Sequence, residues 1–372
     1  FRRAIRNLLN MNRMMKWPAL VVLPLFLSAG LKAFVGSGMA LFIRGITLEN
    51  TGERSLKTAE EILADSKTNL TGKTVLITGA NAGIGKETAT VLAQGGAEVV
   101  LACRSTTKCN VAKDEILQVA KGAKLEVLEL DLSSLSSVRK AAKTFLASGR
   151  PLHYLVNNAG VMQLPDYSAS VDGLEMQFAV NYVGHWLLTE LLLGKLKESA
   201  PSRIVTLSSL AHLFVTRSQI DELLSSGSLP LNASAYDEGL AYGISKAANA
   251  LHAKDLGRRL EGTGVQAFAV HPGIVNTELA RYNFGAQLFY DKALPFFEAI
   301  TGKKILKSVP QGAATTIYCM TANASESVGG YYADSMPGEP QKGRMNMDVI
   351  GDVKLAEELN SYTANLVKKL KT

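Results

Sequence analysis

The sequence predicts a doubly wound α/β fold, a parallel sheet with helices on both faces, from three observations. Short apolar runs at residues 73–78, 99–102, 125–130, 152–156, 203–207 and 265–270 alternate with amphipathic stretches of helical period, the pattern of strands buried between helices. The first run passes straight into a glycine-rich turn and a helical stretch. Several small or polar residues fall just beyond the apolar runs, where open α/β sheets bind their ligands. The 372 residues hold one such domain of about 250 residues with an appendage, and no internal repeat or low-complexity tract breaks them.

The appendage comes first. Residues 1–48 carry seven basic side chains (Arg2, Arg3, Arg6, Arg13, Lys16, Lys32, Arg44) and no acid, so the remaining chain holds 33 charges of each sign and the net +7 lies wholly in this segment. A nucleic-acid binder spreads its basic footprint over a folded face, and that class of partner is not expected. Residues 17–43 are largely apolar, but Lys32 lies near their middle, and neither half reaches the about 20 apolar residues that a membrane span needs. Three readings stay open: a membrane anchor that spans or lies in the interface, a cleaved signal or organelle-targeting segment, and a helix docked on the body. Residues 49–71 read as a polar linker with a short helix, and 72–372 as a single catalytic domain.

Lys73–Thr78 reads as a buried strand. The turn after it places Gly79, Asn81, Gly83, Ile84 and Gly85 at the start of a helix, in a GxxxGxG spacing that lets backbone N–H groups and a positive helix end approach a pyrophosphate. Further on, Tyr242 and Lys246 stand four residues apart, one helical turn. A phenol with an unperturbed pKa of about 10 exchanges protons near neutrality only when a nearby positive charge favours its anion, and Lys246 can supply that charge.

With Thr78-Gly-Ala-Asn-Ala-Gly-Ile-Gly85, Asp131-Leu132, Asn157-Asn-Ala-Gly160, Asn181, Ser208-Ser209, Tyr242 to Lys246 and His271-Pro-Gly273 in this order, the chain resembles the short-chain dehydrogenase/reductase family from about Leu70 to Tyr332. Segments such as Val180-Asn-Tyr-Val-Gly-His-Trp and Arg203-Ile-Val-Thr-Leu-Ser-Ser-Leu-Ala-His212 are similar to its retinol dehydrogenase group. The resemblance implies a Rossmann-type domain and an enzyme acting on CH–OH groups. It implies that Ser209, Tyr242, Lys246 and Asn181 are catalytic. In that scheme Tyr242 donates the proton, Ser209 hydrogen-bonds the substrate oxygen, and Asn181 holds a water that links Lys246 to solvent. It further implies that Asp131 and Leu132 meet the adenine, that Asn158, Ala159 and Gly160 pass close to the ribose, and that Pro272, Gly273, Ile274 and Thr277 run along the nicotinamide. Lys246 also binds the nicotinamide ribose in this scheme.

NAD-binding relatives of this fold place an acid after the second strand, and here that place holds Cys103 and then Arg104. With no carboxylate to repel a 2′-phosphate and a guanidinium to bind it, NADP(H) is expected ahead of NAD(H). Residues 210–241 form a long insertion whose apolar content suggests a wall of the substrate pocket, and residues 279–309 suggest a mobile apolar lid. These features favour a hydrophobic substrate: a retinoid, a steroid, or a long-chain aldehyde or ketone. An NADP(H)-binding redox-sensing or regulatory protein of an organelle membrane complex is the alternative. A place on the endoplasmic reticulum or another organelle membrane is expected, and a homodimer is compatible with the family. Cys103, Cys109 and Cys319 sit at no metal or redox spacing and are expected to be reduced thiols; no metal site is expected. His185 and Trp186 read as core residues without chemistry.

Overall fold

Uninterrupted apolar runs become the central strands. The computed structural model describes residues 56–226, 233, 236–275, 298, 306–321, 330–333 and 346–370. Its main sheet has seven strands, β1 (Thr74–Thr78), β2 (Glu98–Cys103), β3 (Leu125–Glu129), β4 (Tyr154–Asn157), β5 (Ser202–Leu207), β6 (Val265–His271) and β9 (Tyr331–Ala333), all parallel in the order β3-β2-β1-β4-β5-β6-β9. The order reverses between β1 and β4, which opens a crevice at their carboxyl ends. A separate parallel pair joins β7 (Ile274–Val275) to β8 (Leu306–Lys307).

The helices are α1 (Ala59–Ser66), α2 (Gly83–Gln94), α3 (Thr106–Val119), α4 (Leu135–Ala147), α5 (Gly184–Glu198), α6 (Arg217–Ser226), α7 (Glu238–Arg259), α8 (Val309–Thr321) and α9 (Val353–Lys369). Side chains alternate across the sheet, so Val75 and Ile77 enter one core with α1, α2, α3 and α8, while Leu76 enters the other with α4, α5, α7 and α9. Each core is closed to water, and burial of this kind contributes about 25 cal/mol per Å² of apolar surface. The Thr58 capping box starts α1, with Glu61 answering at the Thr58 backbone. Ala59 and Ile62 of that helix are buried, so this part of the polar stretch is built into the body.

Four observations modify or bound the expectations. Cys103 and Cys109 are joined in a disulfide, with Cα atoms 6.1 Å apart, which corrects the reading of reduced thiols. The cause is topological: β2 ends and α3 begins within three residues, and the first turn of α3 brings Cys109 back over the strand end. Ile220 and Leu223 of the insertion are fully buried in the core shared with α9, so these two apolar residues pack the body. Among the described residues no helix is long and apolar enough to cross a membrane; the segment 1–48, on which the anchor expectation rests, lies outside them. Thr277 and most of the lid, 279–309, also lie outside the described residues.

Candidate active site

The crevice is built from the turn after β1, the loop after β4, the loop after β5 and the buried face of α7. Gly79 has φ +66°, and a Cβ there would lie 2.9 Å from the Ala159 Cα. At Gly85 a Cβ would come within 2.4 Å of the Asn158 amide nitrogen and 2.5 Å of the Gly79 oxygen. The glycines therefore let the β1–α2 turn and the β4 loop touch. Asn158 closes the contact, donating from Nδ2 to the Thr78 carbonyl at 2.8 Å, so its side chain frames the turn. Helix α2 has Ala82 at its N-cap, no side-chain cap and no acid in its first turn, whereas Thr58, Ser105, Ser134, Asp237 and Asp352 cap α1, α3, α4, α7 and α9. An uncapped, positively polarised helix start beside a side-chain-free turn fits a diphosphate.

Around that anchor the remaining expected cofactor residues are distributed as follows. Asn81, Gly83 and Ile84 lie on the partly exposed turn, and Arg104 is exposed directly after β2. Asp131 follows β3, where its Oδ1 accepts from the Ser133 backbone N–H at 2.9 Å and hydroxyl at 2.6 Å. The neighbouring Leu132 is buried, and its carbonyl would be met at 2.5 Å by a Cβ on Gly184. Pro272, Gly273 and Ile274 leave the end of β6, with Gly273 at φ +91° and the Lys307 stem packed against it, 2.7 Å from where a Cβ would stand.

Tyr242, Ser245 and Lys246 share the buried face of α7. The Lys246 ammonium donates to the Leu207 carbonyl at 3.0 Å and lies 5.6 Å from the Tyr242 ring centre. Burial pushes its pKa down to about 8, as desolvation penalises the charged form. The paired serines divide: Ser208 is buried and donates to the Lys246 carbonyl at 2.7 Å, while Ser209, partly exposed, starts the 3₁₀ turn Leu210–Phe214 and accepts from Ala211 N–H at 3.2 Å.

Asn181 lies in a π-helical turn, Ala179–Val183, of the kind that accompanies functional sites. Its amide is fully engaged, donating to Val161 O at 2.9 Å and Ser245 Oγ at 3.0 Å and accepting from Val161 N–H at 2.8 Å. A Cβ on Gly160 would stand 3.2 Å from Asn181 Oδ1 and 3.6 Å from Lys246 Nζ. A side chain here would press on the amide and touch the ammonium, so glycine gives the β4 loop its easiest passage beside both. The structure thus brings Asn181, Gly160, Lys246 and Tyr242 to one place.

Sequence reasoning missed several contributors. Ser245 donates to Tyr242 O at 2.7 Å. Gln177 accepts from Gln163 N–H at 2.8 Å and donates to Tyr236 Oη at 2.9 Å, fixing the loop after β4. His212 meets the Ser209 carbonyl at 2.6 Å through Nδ1, and burial lowers its pKa to about 4. His185 bridges Thr78 and Asn181. Ser245 alone had a local signal, its place inside the Tyr242–Lys246 turn.

The family model for short chain dehydrogenases matches residues 73–219. Retinol dehydrogenase 12 of Mus musculus is 46% identical over 261 residues, 70% of this chain and 77% of its own. The chain belongs to the short-chain dehydrogenase/reductase family. The short-chain dehydrogenase TIC 32 A, chloroplastic, of Brassica napus is 40% identical over 331 residues, 86% of this chain and 96% of that one. Among solved structures, an uncharacterised protein from Mycobacterium paratuberculosis superposes with a TM-score of 0.59 at 31% identity, covering 81% and 95% of the two chains. The Pseudomonas aeruginosa RhlG/NADP active-site complex gives 0.55 at 25%, covering 71% and 95%. This short-chain dehydrogenase is an oxidoreductase of alcohols and carbonyls that works with a nicotinamide cofactor on a small molecule.

Proposed function

We propose that this short-chain dehydrogenase interconverts a carbonyl and an alcohol on a hydrophobic substrate, with NADP(H) as cofactor and Tyr242 as general acid and base. The observation that carries the reading is the meeting of Lys246, Asn181 and Gly160 beside Tyr242 at the switch point of the sheet. When bound, the nicotinamide supplies or accepts the hydride. As negative charge grows on the substrate oxygen, Tyr242 gives its proton and Ser209 gives a hydrogen bond. The Lys246 ammonium stabilises the tyrosinate that remains, and Ser208, by holding the Lys246 backbone, keeps the two side chains in register.

The choice of NADP(H) rests on the end of β2. Cys103 stands where an acid would repel a 2′-phosphate, and Arg104 beside it is exposed and able to pair with one. The hydrophobic substrate class, retinoid, steroid or long-chain carbonyl, rests on the likeness to retinol dehydrogenases. Association with an organelle membrane through residues 17–43 belongs to the same proposal, and the chloroplastic relative supports an organelle.

The test is NADPH oxidation at 340 nm against all-trans-retinal, a steroid ketone and a medium-chain aldehyde, with NADH and Tyr242→Phe as controls. Turnover that Tyr242→Phe lowers at least about a hundredfold is expected. Tight NADPH binding without turnover on any carbonyl would favour the regulatory reading.

A further inference from the structure

His185 is buried to 1% exposure, on the first turn of α5, and both of its ring nitrogens are bonded to parts of the site. Nδ1 lies 2.9 Å from the Asn181 carbonyl oxygen and Nε2 lies 2.8 Å from Thr78 Oγ1. Bonding rules and distances together assign the hydrogens along this chain. A carbonyl only accepts, so Nδ1 carries the proton and Nε2 is the bare acceptor. Thr78 Oγ1 already accepts from Asn158 N–H at 2.9 Å and from Ala159 N–H at 3.0 Å. With both lone pairs taken, the hydroxyl has only its hydrogen to give, and of the two acceptors it faces, His185 Nε2 at 2.8 Å and the Val156 carbonyl at 3.5 Å, the ring nitrogen is much the nearer.

We propose that His185 is a positioning residue of the reductase, a neutral imidazole held in one tautomer that couples the Asn181 backbone to the Thr78 hydroxyl and, through it, to the β4 loop. The inference rests on the reading of Asn181, Lys246 and Tyr242 as the proton-handling group. One arm reaches Asn181, whose amide in turn holds Ser245 on the turn between Tyr242 and Lys246. The other arm reaches Thr78, whose hydroxyl sets the backbone of Asn158 and Ala159 against Gly79. A second ring proton would face an oxygen with no lone pair left for it. Burial acts in the same direction and holds the pKa down to about 3, outweighing the bond to the Asn181 carbonyl, which favours protonation, while the charge of Lys246 opposes it. An apolar side chain of the same size would fill the space and break both bonds to the ring.

The two arms can be cut separately. An asparagine amide reaches the place of Nδ1 and a glutamine amide that of Nε2, so the full chain is prepared as wild type, His185→Asn, His185→Gln and His185→Phe. NADPH affinity is read by energy transfer from protein to nicotinamide, and turnover with a carbonyl substrate by kcat. The expected result is a split: His185→Asn keeps kcat within about threefold and loses NADPH affinity, His185→Gln keeps affinity and loses kcat about tenfold, and His185→Phe loses both. Equal behaviour of the three variants, or a wild-type His185→Phe, overturns the proposal. Long-range ¹⁵N–¹H correlation of the imidazoles gives a readout besides activity: two buried histidines in the Nδ1–H form that do not titrate from about pH 6 to 9 are expected, His185 and His212, the first identified as the signal that His185→Phe removes, and an Nε2–H or titrating His185 overturns the proposal. A wild type that binds NADPH and reduces no carbonyl would sink the reductase reading, while the affinity split and the imidazole spectrum would still decide His185.

Discussion

Asn181 reaches Ser245 across two helical segments, Nδ2 to Oγ at 3.0 Å, and Ser245 passes the bond on to the Tyr242 carbonyl at 2.7 Å. The helical turn that presents the phenol and the ammonium is therefore anchored from its inner side by the π-helical turn before α5. Ser245→Ala leaves one Asn181 hydrogen without this acceptor, a change of about 1–3 kcal/mol for a buried group. Its expected effect is a drop in melting temperature and a loss in kcat of about tenfold, with NADPH affinity nearly unchanged, checked by thermal melts and steady-state kinetics.

Lys246 is the place where stability and chemistry conflict. Its pKa in the fold lies near 8 because burial disfavours the ammonium, while the unfolded chain keeps that proton to about 10.4. Between these values the unfolded state binds more protons, so this group's contribution to stability rises with pH across that window and is at its worst below it. Lys246→Met should stabilise the cofactor-free protein at pH 7 by up to about 3 kcal/mol and abolish turnover. The stability gap between variant and wild type should narrow as denaturant titrations are moved from pH 7 to pH 10. Wild-type carbonyl reduction should weaken above about pH 8, where the charge that favours the tyrosinate is lost.

Arg104 stands exposed at the end of β2, next to a cysteine where an acid would select NAD. Arg104→Ala should raise KM for NADPH about tenfold or more, equivalent to about 1.4 kcal/mol, and leave KM for NADH within twofold of wild type. Equal shifts for the two cofactors would exclude contact with the 2′-phosphate.

The Cys103–Cys109 bond gives a labelling pattern that needs no activity. Denatured without reductant, the three cysteines of the chain should show a single reactive thiol, Cys319, which is the free cysteine and is buried in the native fold. After reduction all three should react. Mass spectrometry of the alkylated chain distinguishes the two counts.

How much the sequence disclosed varies with the range of the interaction. Strands β1 to β6 announce themselves because each is a continuous apolar run between turns; β9 does not, since three residues, Tyr331–Ala333, become a strand only by lying beside Ala269–His271. The Tyr242–Lys246 pair is visible because one helical turn is a local spacing. The clamp on Asn181 is not, for its partners Val161 and Ser245 are 20 and 64 residues away. The disulfide escaped for a related reason: six residues are no motif spacing, and only the sharp β2-to-α3 connection folds them together. Gly160 shows the remaining difficulty, because a glycine expected beside the cofactor ribose also faces Asn181 and Lys246.

Helix α9 lies across α5 and α7, with Tyr182 Oη bonded to Thr363 at 2.8 Å, Trp186 Nε1 to Asn360 at 2.8 Å and Arg258 paired with Glu357 at 2.9 Å. On the ribosome, α9 is the last described helix to emerge, long after the residues it braces. A nascent chain can therefore form the glycine turn and the first strands early, while the helix bearing Tyr242 still lacks its outer support. Translation order thus makes the brace of the catalytic helix the last part to arrive, and a chain stopped before Val353 should leave the core around Leu76 and Ile244 open where Leu355 and Leu359 close it.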